Sequence, residues 1–384
     1  MKVLYILHST IMGGATISFL NMIKGMIDRG ISAVVAMPNH DKELEKSLRQ
    51  IGATYKVIPI ATSIFPAENT AGFFEGNRIR KKWRILKKEI KKYVSFLALL
   101  KLVKKEKPDI IHTNTGVVHE GFKCSRKFSI PHVWHLREYQ DKDFHWQIYP
   151  SKEKFEKSLS LSFVITITND ILRHFHLESS QKAKTIYNGI MHACDCYQDW
   201  PKQNYFLSAS RISPEKGYED TIKAFSSFYR HHNDYRLLIL GFGSCEYIDY
   251  LKQLSVELKC AEAVEWIGFK SDVSKYMRHA KALIVASHFE GFGRMTAEAC
   301  FCGCPVIGRD SGGTREILSQ TGGLLFNDIQ GLENRMAEIS ILDEMEYVSL
   351  AKHAQQVAVD LYSIESNVEQ IYRFYQRILK EYVA

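Results

Sequence analysis

The sequence of 384 residues has no apolar run that could cross a membrane, because a spanning helix needs about 20 consecutive apolar residues. The nearest approach, 93–103, is interrupted by Lys101. Residues 1–14 offer no small-residue cleavage site and turn early into a glycine pair, so we predict no signal peptide. Long polar tracts and repeats are also missing, and 45% of the residues are hydrophobic, which excludes a disordered chain. We expect a soluble cytoplasmic protein with two or three folded domains.

The cysteines lack the arrangement of a metal site or a disulfide framework. The eight stand at 124, 194, 196, 245, 260, 300, 302 and 304, and the two clusters alternate at every second residue. Paired zinc ligands usually have about two to four residues between them. Cys304 leads directly into Pro305, Val306 and Ile307, a run typical of a buried strand. We interpret the cysteines as packing residues and predict no metal and no cofactor.

Positive charge is concentrated in one segment. The formal net charge is +8, yet 78–107 contains thirteen Lys and Arg against two Glu, a local charge of +11 that leaves −3 for the rest. Apolar residues recur there at helical spacing: Ile79, Trp83, Leu86, Ile90, Val94 and Leu97. The basic face of this helix is either simply solvated or docks on an anionic membrane surface, and we favour the membrane. Aromatic residues that could stack on bases do not alternate with the cations of this segment, so we predict no nucleic-acid partner.

Short apolar strands alternate with helical segments in two series. The first has strands near 3–7, 31–37, 108–112, 130–134, 163–168 and 184–187, and the second near 205–209, 237–240, 264–267, 282–286 and 306–307. Such alternation predicts parallel sheets covered by helices. Asn188-Gly189 and a polar stretch to Pro201 separate the two series. We predict an α/β protein with Rossmann-like domains at 1–190 and 200–362, and a final helix at 363–384 that packs on the first domain.

Glycines and cations follow several of these strands, at the edge where doubly wound folds bind ligands. Gly13-Gly14 follows the first strand, and Gly243 follows the strand at 237–240. Such glycines are also common in ordinary turns, so alone they indicate little. Arg211 and Lys216 follow the strand at 205–209, where the two cations either bind phosphate or are solvated.

Two carboxylates lie near the next such edge. Glu290 precedes a loop with two glycines, and Glu298 lies in the first turn of the helix that follows. Open backbone N–H groups in this loop suit a phosphate or a sugar hydroxyl, and carboxylates accept hydrogen bonds from paired hydroxyls. A third loop, 311–316, follows the next strand. The whole set at matched strand ends favours a binding site over chance.

Three motifs together resemble the retaining GT-B glycosyltransferases of family 4. They are Arg211-x4-Lys216-Gly217, Glu290-Gly-Phe-Gly-x4-Glu298 and Cys302-Gly-Cys-Pro-Val-Ile. The resemblance extends over nearly the whole chain and implies two Rossmann-like domains whose parallel sheets face a central cleft. It implies metal-independent transfer of a sugar from a UDP- or GDP-sugar to a glycan or lipid-linked acceptor, in cell-surface polysaccharide or lipopolysaccharide synthesis. The enzyme would be cytoplasmic or peripheral on the inner face of the membrane.

The resemblance also implies roles for residues of the donor site. Glu298 would hold the ribose hydroxyls, and Glu290 would contact the transferred sugar together with the backbone N–H groups of Phe292 and Gly293. Arg211 and Lys216 would neutralise the diphosphate, which Gly14 would approach from the first domain. The base would lie near Gly268-Phe269. Gly13, Gly243, Arg294 and Met295 complete the expected donor-binding set.

For catalysis, the resemblance implies a histidine near the reacting sugar, and His135 aligns with it better than His112 or His119. No carboxylate is placed as a nucleophile, so our hypothesis is a front-face reaction in which the departing diphosphate takes the acceptor proton. Arg211, Lys216, Glu290 and His135 are therefore the predicted catalytic residues.

Some residues depart from the family pattern. Arg294 stands where the family usually has an apolar residue, and its role is open between a phosphate and an acceptor contact. Ser210 replaces a common glycine. The triplet 141–143 mimics a metal-binding DxD motif, and we interpret it as a solvated loop.

Two other functions remain open at this point. A GT-B sugar-nucleotide epimerase shares the fold but usually lacks this pairing of cations and carboxylates, and it needs no acceptor. A membrane- or polyanion-binding scaffold with an inactive nucleotide pocket would use the basic helix. The presence of Arg211, Lys216, Glu290 and Glu298 argues against that scaffold.

Overall fold

A computed structural model describes residues 1–66, 78–143, 145–197 and 202–383, with the backbone alone at 66, 78–81 and 383. The chain divides into two compact units. Unit 1 comprises Met1–Gly189 and Ile364–Ala384, and unit 2 comprises Ile190–Ser363. The predicted linker includes 198–201, which lie outside the described residues.

Unit 1 is built on a parallel sheet of seven strands in the order β3-β2-β1-β5-β6-β8-β9, with β4 and β7 as a separate antiparallel pair. Its elements are β1 (Lys2–Ile6), α1 (Gly14–Asp28), β2 (Ser32–Met37), α2 (Lys42–Gln50), β3 (Thr54–Val57), β4 (Ile64–Pro66), α3 (Arg78–Glu106), β5 (Ile110–Thr113), α4 (Glu120–Phe128), β6 (His132–Leu136), β7 (Trp146–Ile148), α5 (Lys152–Ser160), β8 (Phe163–Thr166), α6 (Asn169–His174), β9 (Ala183–Thr185) and, last in the chain, α14 (Ile364–Val383). Strands β5, β6 and β8 are buried along their whole length, as expected where helices cover both faces of a sheet.

The final helix α14 packs on α1. A Cβ at Gly25 of α1 would lie 2.5 Å from a methyl carbon of Val368, so glycine permits the close approach of the two helices. Ile371, Tyr375 and Ile378 are fully buried in the apolar core that they share with α1 and β1. Their spacing of four and three residues places them on one helical face, which is the face that the sequence predicts.

Unit 2 is built on a parallel sheet of six strands in the order β12-β11-β10-β13-β14-β15. Its elements are β10 (Gln203–Ala209), α7 (Tyr218–Tyr229), β11 (Arg236–Leu240), α8 (Cys245–Glu257), β12 (Val264–Gly268), α9 (Ser274–His279), β13 (Ala280–Val285), α10 (Arg294–Phe301), β14 (Val306–Arg309), α11 (Gly312–Thr321), β15 (Leu324–Phe326), α12 (Ile329–Ser340) and α13 (Glu344–Tyr362). A short 3-10 turn, Pro214–Lys216, precedes α7. The core on one face is aromatic, with Phe206, Phe225 and Phe228 buried together.

Each sheet has one point where the order of its strands reverses. The reversal lies between β1 and β5 in unit 1, and between β10 and β13 in unit 2. Ligands of doubly wound folds bind at such reversal points, outside the carboxyl ends of the strands. Ligand-binding residues are therefore expected in the loops after β1, β5, β10 and β13.

Each strand expected from the sequence is present, displaced by no more than a few residues. The sequence analysis missed β3, β15 and the β4–β7 pair. Strand β3 is a half-exposed edge strand, and the others have three residues each, so none of them forms a long apolar run. The α/β prediction with parallel sheets in both units is confirmed.

The basic helix is present as α3, but its faces are arranged unusually. The predicted apolar stripe faces solvent: Trp83, Leu86, Ile90, Val94 and Leu97 are 58%, 51%, 55%, 45% and 40% exposed, and the side chain of Ile79 lies outside the described residues. The opposite face, with Lys92, Leu99 and Val103, is buried in unit 1. Lys92 is 4% exposed, with its ammonium 4.9 Å from the centre of the Tyr149 ring. Among the described helices, none is both long and apolar enough to span a bilayer.

Candidate functional site

An ion pair between two residues predicted from the sequence stands at the reversal point of the unit 2 sheet. Lys216 follows β10, and Glu290 lies in the loop after β13. Lys216 Nζ lies 2.6 Å from Glu290 Oε1, and Ser287 Oγ donates a hydrogen bond to the same oxygen at 2.8 Å. The two charged side chains are 18% and 23% exposed. A half-buried cation is therefore neutralised by a carboxylate where this fold binds ligands.

The loop that carries Lys216 is tied to the loop after β13. Gly217 has φ 70°, and a Cβ there would come within 2.1 Å of the Ala286 carbonyl oxygen. The His288 N–H donates to the Glu215 carbonyl at 2.9 Å. Since only glycine adopts this conformation so close to another backbone, Gly217 allows Lys216 to reach Glu290.

The loop after β14 holds Glu290 from the other side. The Gly313 N–H donates to the Glu290 carbonyl at 2.8 Å. A Cβ at Gly312, where φ is 50°, would lie 2.5 Å from the same carbonyl oxygen, and one at Gly313 would lie 2.2 Å from the Phe292 carbonyl oxygen. The third predicted loop thus positions the Glu290 segment by backbone contact.

Helix α10 begins directly after Gly293, which has φ 89°, and no side chain caps its first turn. Open N–H groups at the start of a helix attract anions. Arg294 Nε donates to Glu298 Oε1 at 2.7 Å across one helical turn. Burial raises the pKa of the Glu298 carboxyl, and the charge of Arg294 opposes that rise. Arg294 therefore holds the carboxylate that the resemblance assigns to the ribose.

Arg211 stands apart from the central ion pair. Its side chain is 60% exposed and pairs with Glu215 of the same turn. Of the two predicted phosphate-binding cations, the structure brings only Lys216 into contact with Glu290.

Two exposed aromatic rings follow β11 and β12. Phe242 and Phe269 are 60% and 66% exposed, and their centroids lie 5.9 Å apart in an edge-to-face arrangement. The predicted Gly243 follows Phe242 in the loop after β11, where a Cβ would be 2.2 Å from the Ile212 carbonyl oxygen. Gly243 thus has a packing role that explains it without a ligand.

Other predicted residues lie in the interior of unit 2. Phe292 is 7% exposed and packs its ring against Tyr362, with centroids 5.9 Å apart. Met295 is half-buried against the apolar core beneath α10. Cys300, Cys302 and Cys304 are buried, and burial raises the pKa of their thiols to about 12, about 12 and about 11. Their interpretation as packing residues is confirmed for this cluster.

The predicted glycines of unit 1 open helix α1. Gly13 precedes the helix and Gly14 is its first residue, with no side-chain cap and no acidic residue in the first turn. A Cβ at Gly13 would meet no other atom within 4 Å, so packing does not require glycine at that position. This helix start lies just beyond β1, at the reversal point of the sheet.

His135 lies in the interior of unit 1, with no exposed surface. Its Nδ1 lies 3.2 Å from His112 Nε2, and His112 Nδ1 lies 2.6 Å from the hydroxyl of Tyr375 on α14. Burial lowers the pKa of both histidines well below the usual range, so both are neutral at pH 7. These partners are typical of a structural network between sheet and helix, and the predicted catalytic role of His135 stays a prediction.

The DxD-like triplet is less solvated than expected. Asp143 is half-buried, its Oδ2 accepts the Tyr139 N–H at 2.9 Å, and burial raises its pKa to about 6. Asp141 is exposed and lies 3.0 Å from His174 Nε2. Within the part of the chain that the structure describes, no group of three or more His, Cys, Asp and Glu could hold a metal ion.

The sequence analysis missed Ser287, Phe242 and Arg137. Ser287 and Phe242 each directly follow a strand end, but serine and phenylalanine are too common there to indicate a site. Arg137 is the first residue after β6, and a cation next to a fully buried strand was the signal that could have identified it.

Two family models match the chain, one in each unit. "Glycosyltransferase Family 4" matches residues 12–193, and "Glycosyl transferases group 1" matches residues 198–356. An uncharacterized glycosyltransferase of Methanocaldococcus jannaschii is 24% identical over 336 residues, which are 80% of this chain and 79% of that protein. The N-acetylgalactosamine-N,N'-diacetylbacillosaminyl-diphospho-undecaprenol 4-alpha-N-acetylgalactosaminyltransferase of Campylobacter jejuni is 31% identical over 153 residues, 38% of this chain and 40% of that enzyme.

The fold is also that of solved structures. HepE of Anabaena in complex with UDP superposes with a TM-score of 0.77 at 20% identity, over 98% of this chain and 100% of that chain. The same protein in complex with UDP-glucose gives a TM-score of 0.71 with the same identity and coverage. At this level of identity the likeness shows a common fold.

Proposed function

The chain belongs to the family 4 glycosyltransferases and has their GT-B fold; we propose that it transfers a sugar, with retention and without a metal, from a UDP- or GDP-sugar. The acceptor is a glycan or a lipid-linked glycan of a cell-surface polysaccharide or lipopolysaccharide. The observation that carries the proposal is the contact of Lys216 with Glu290 at the reversal point of the unit 2 sheet. It combines a cation suited to a diphosphate with a carboxylate suited to sugar hydroxyls.

The ion pair suggests how the donor is received. A diphosphate that binds Lys216 takes the cation away from Glu290, and the released carboxylate can then accept hydrogen bonds from the sugar. During transfer the bond between the anomeric carbon and the phosphate oxygen breaks, and a bond to the acceptor oxygen forms on the same face. The acceptor proton passes to the departing phosphate oxygen, whose growing charge Lys216 and Arg211 stabilise.

Two further features suit the rest of a nucleotide. Phe242 and Phe269 offer exposed rings on which a base can stack. Glu298, held by Arg294, offers a carboxylate for the two ribose hydroxyls. The UDP and UDP-glucose complexes of HepE and the diphospho-undecaprenol substrate named for the Campylobacter enzyme support these ligand classes.

The donor site is tested by thermal unfolding with a panel of nucleotides and nucleotide sugars, with EDTA and without added metal. We expect one nucleotide sugar to raise the melting temperature selectively, because a ligand of the folded state stabilises it. Glu298→Gln should reduce that shift, and Lys216→Ala should reduce it less. Lys223→Ala, which removes an exposed lysine of α7, is the matched control and should leave it unchanged.

Two results would contradict the donor site or the reaction. A panel with no stabilising nucleotide sugar, or a shift that EDTA abolishes, would overturn the metal-independent donor site. Conversion of the stabilising donor into its epimer without an acceptor would indicate a sugar-nucleotide epimerase instead.

We further propose that α3 docks unit 1 on an anionic lipid surface. Six exposed apolar side chains form one stripe along α3: Trp83, Leu86, Ile90, Tyr93, Val94 and Leu97. Exposed cations flank the stripe, among them Lys82, Lys87 and Lys91. A soluble helix normally buries its apolar face, whereas an interfacial helix inserts that face between lipids and places its cations at the headgroups.

Vesicle flotation tests this docking. The full chain should bind vesicles that contain phosphatidylglycerol, bind neutral vesicles less, and lose binding as salt rises. Ile90→Glu should weaken binding strongly, and Val256→Glu, at an equally exposed apolar residue of α8, should not. Equal binding of both variants, or self-association through α3 without lipid binding, would overturn the proposal.

A further inference from the structure

Arg137 is a cation at the carboxyl edge of the unit 1 sheet, and no carboxylate within the described part of the chain forms an ion pair with it. It is half-buried and follows β6, next to β5 in the sheet. Burial lowers the pKa of its guanidinium to about 10. The neighbouring carboxylate of Glu138 is used elsewhere, since it accepts hydrogen bonds from Thr115 Oγ1 at 2.7 Å and the Gly116 N–H at 2.8 Å. Buried charges are normally paired, so an unpaired one indicates a missing anion.

Neutral oxygens hold the guanidinium in place. Its Nε donates to Asn114 Oδ1 at 2.9 Å, and Nη1 donates to Asn188 Oδ1 at 2.6 Å. Nη2 lies 3.5 Å from His135 Nδ1, which is at the limit of a hydrogen bond. Of five N–H groups, two therefore have no partner among the described residues. The side chain is therefore held in one orientation, with two N–H groups left for a ligand.

Glu138 still acts on Arg137 at longer range, because its carboxylate opposes the effect of burial on the pKa of the guanidinium. The loop after β1 reaches the same place, because the pKa of His8 is lowered by burial and then by the charge of Arg137. That loop continues into Gly13 and the uncapped start of α1, which has no acidic residue in its first turn. Two features that attract anions thus share the carboxyl edge of one sheet.

We propose that Arg137 binds a phosphate group at the carboxyl edge of the unit 1 sheet. The guanidinium presents its unpartnered N–H groups to two phosphate oxygens. The proposal rests on the proposed function only for the source of the phosphate. That source is either the nucleotide sugar or a phosphate-linked acceptor.

Isothermal titration of the full chain with inorganic pyrophosphate tests the site. The titration is made in a Lys216→Ala background, so that the unit 2 cation does not contribute. Arg137→Gln should weaken the affinity by about 10- to 100-fold, as expected for hydrogen bonds to a charged group. Arg137→Lys keeps the positive charge but removes the planar guanidinium that can bind two phosphate oxygens at once, so we expect a smaller loss of affinity. This variant also controls for folding. Arg126→Gln, at an exposed arginine of α4, should bind like the parent.

Two further arms identify the source of the phosphate. If Arg137→Gln loses as much affinity for UDP as for pyrophosphate, the phosphate belongs to the donor. If Arg137→Gln instead no longer binds neutral vesicles that contain a polyprenyl diphosphate, the phosphate belongs to the acceptor. No pyrophosphate binding in the Lys216→Ala background, or equal binding by the Arg137 variants and their parent, would overturn the site. Stabilisation by a nucleotide sugar would then still support the donor site, so the two proposals fail separately.

Discussion

The carboxyl edges of the two sheets have the same topology and opposite electrostatics. In unit 2 the cations are neutralised in advance: Lys216 by Glu290, Arg294 by Glu298 and Arg211 by Glu215. In unit 1 the histidines at the corresponding edge are buried and neutral, and Arg137 bonds to neutral oxygens and forms no ion pair with any described carboxylate. Under the two proposals, an anion that binds unit 2 has to displace a carboxylate from Lys216, whereas an anion that binds Arg137 displaces none.

The largest effect is expected from the exchangeable pair. Lys216→Ala should lower kcat by about 10²- to 10³-fold and change the KM for the donor much less, because the cation stabilises charge that develops only as the diphosphate leaves. The measurement is nucleotide release from the donor found by thermal unfolding, with Lys223→Ala as control. A rise in KM with kcat unchanged would show instead that Lys216 only binds, and equal losses in kcat and in donor affinity would contradict the proposed role.

The buried network of unit 1 should respond in stability rather than in binding. Tyr375→Phe leaves His112 Nδ1 buried without its partner, so we expect a loss of about 1–3 kcal/mol in the free energy of unfolding. Denaturant titration measures it, and Tyr372→Phe, on the same helix and only partly buried, is the control. A variant of unchanged stability that loses turnover would favour a catalytic role for the His112–His135 pair.

A smaller effect is expected where a cation only positions a carboxylate. Arg294→Met restores the apolar residue usual in the family and removes the side chain that positions Glu298. We therefore expect a loss of a few-fold in nucleotide affinity. Calorimetry with UDP checks this, and Arg335→Met, which removes an exposed arginine paired with Glu338, is the control. A loss as large as that of Glu298→Gln would show that Arg294 contacts the nucleotide itself.

The last effect concerns stability alone, at a carboxyl of unit 1 without a role in the proposed chemistry. Burial raises the pKa of Asp143 from 3.8 to about 6, so the folded state holds its proton more tightly than the unfolded state. The resulting stabilisation is fully present below about pH 4 and is lost as pH rises through 6. Asp143→Asn should therefore gain stability relative to the parent as pH increases from 4 to 7. A stability difference that is constant across this range would contradict the raised pKa.

The sequence by itself determined the two parallel sheets and the unit 2 site. The spacing of apolar residues distinguishes strands from helices within each short segment. Lys216, Glu290 and Glu298 follow predicted strand ends. In a parallel sheet the carboxyl ends of the strands lie at one edge. The sequence could therefore predict that Lys216 and Glu290 lie near each other, but not that they form an ion pair. The resemblance then supplied the roles that spacing alone could not.

Only the tertiary structure decided which residues face inward. The period of α3 predicts a stripe but not its direction, and packing on unit 1 buries Lys92 while Trp83 and Ile90 face solvent. Likewise His135 and Arg137 are two residues apart, yet the first is fully buried and the second, just beyond the strand end, is only half-buried. Burial and charge pairing depend on neighbours that are distant in sequence, such as Tyr375 and Asn188, and for that reason local patterns cannot supply them.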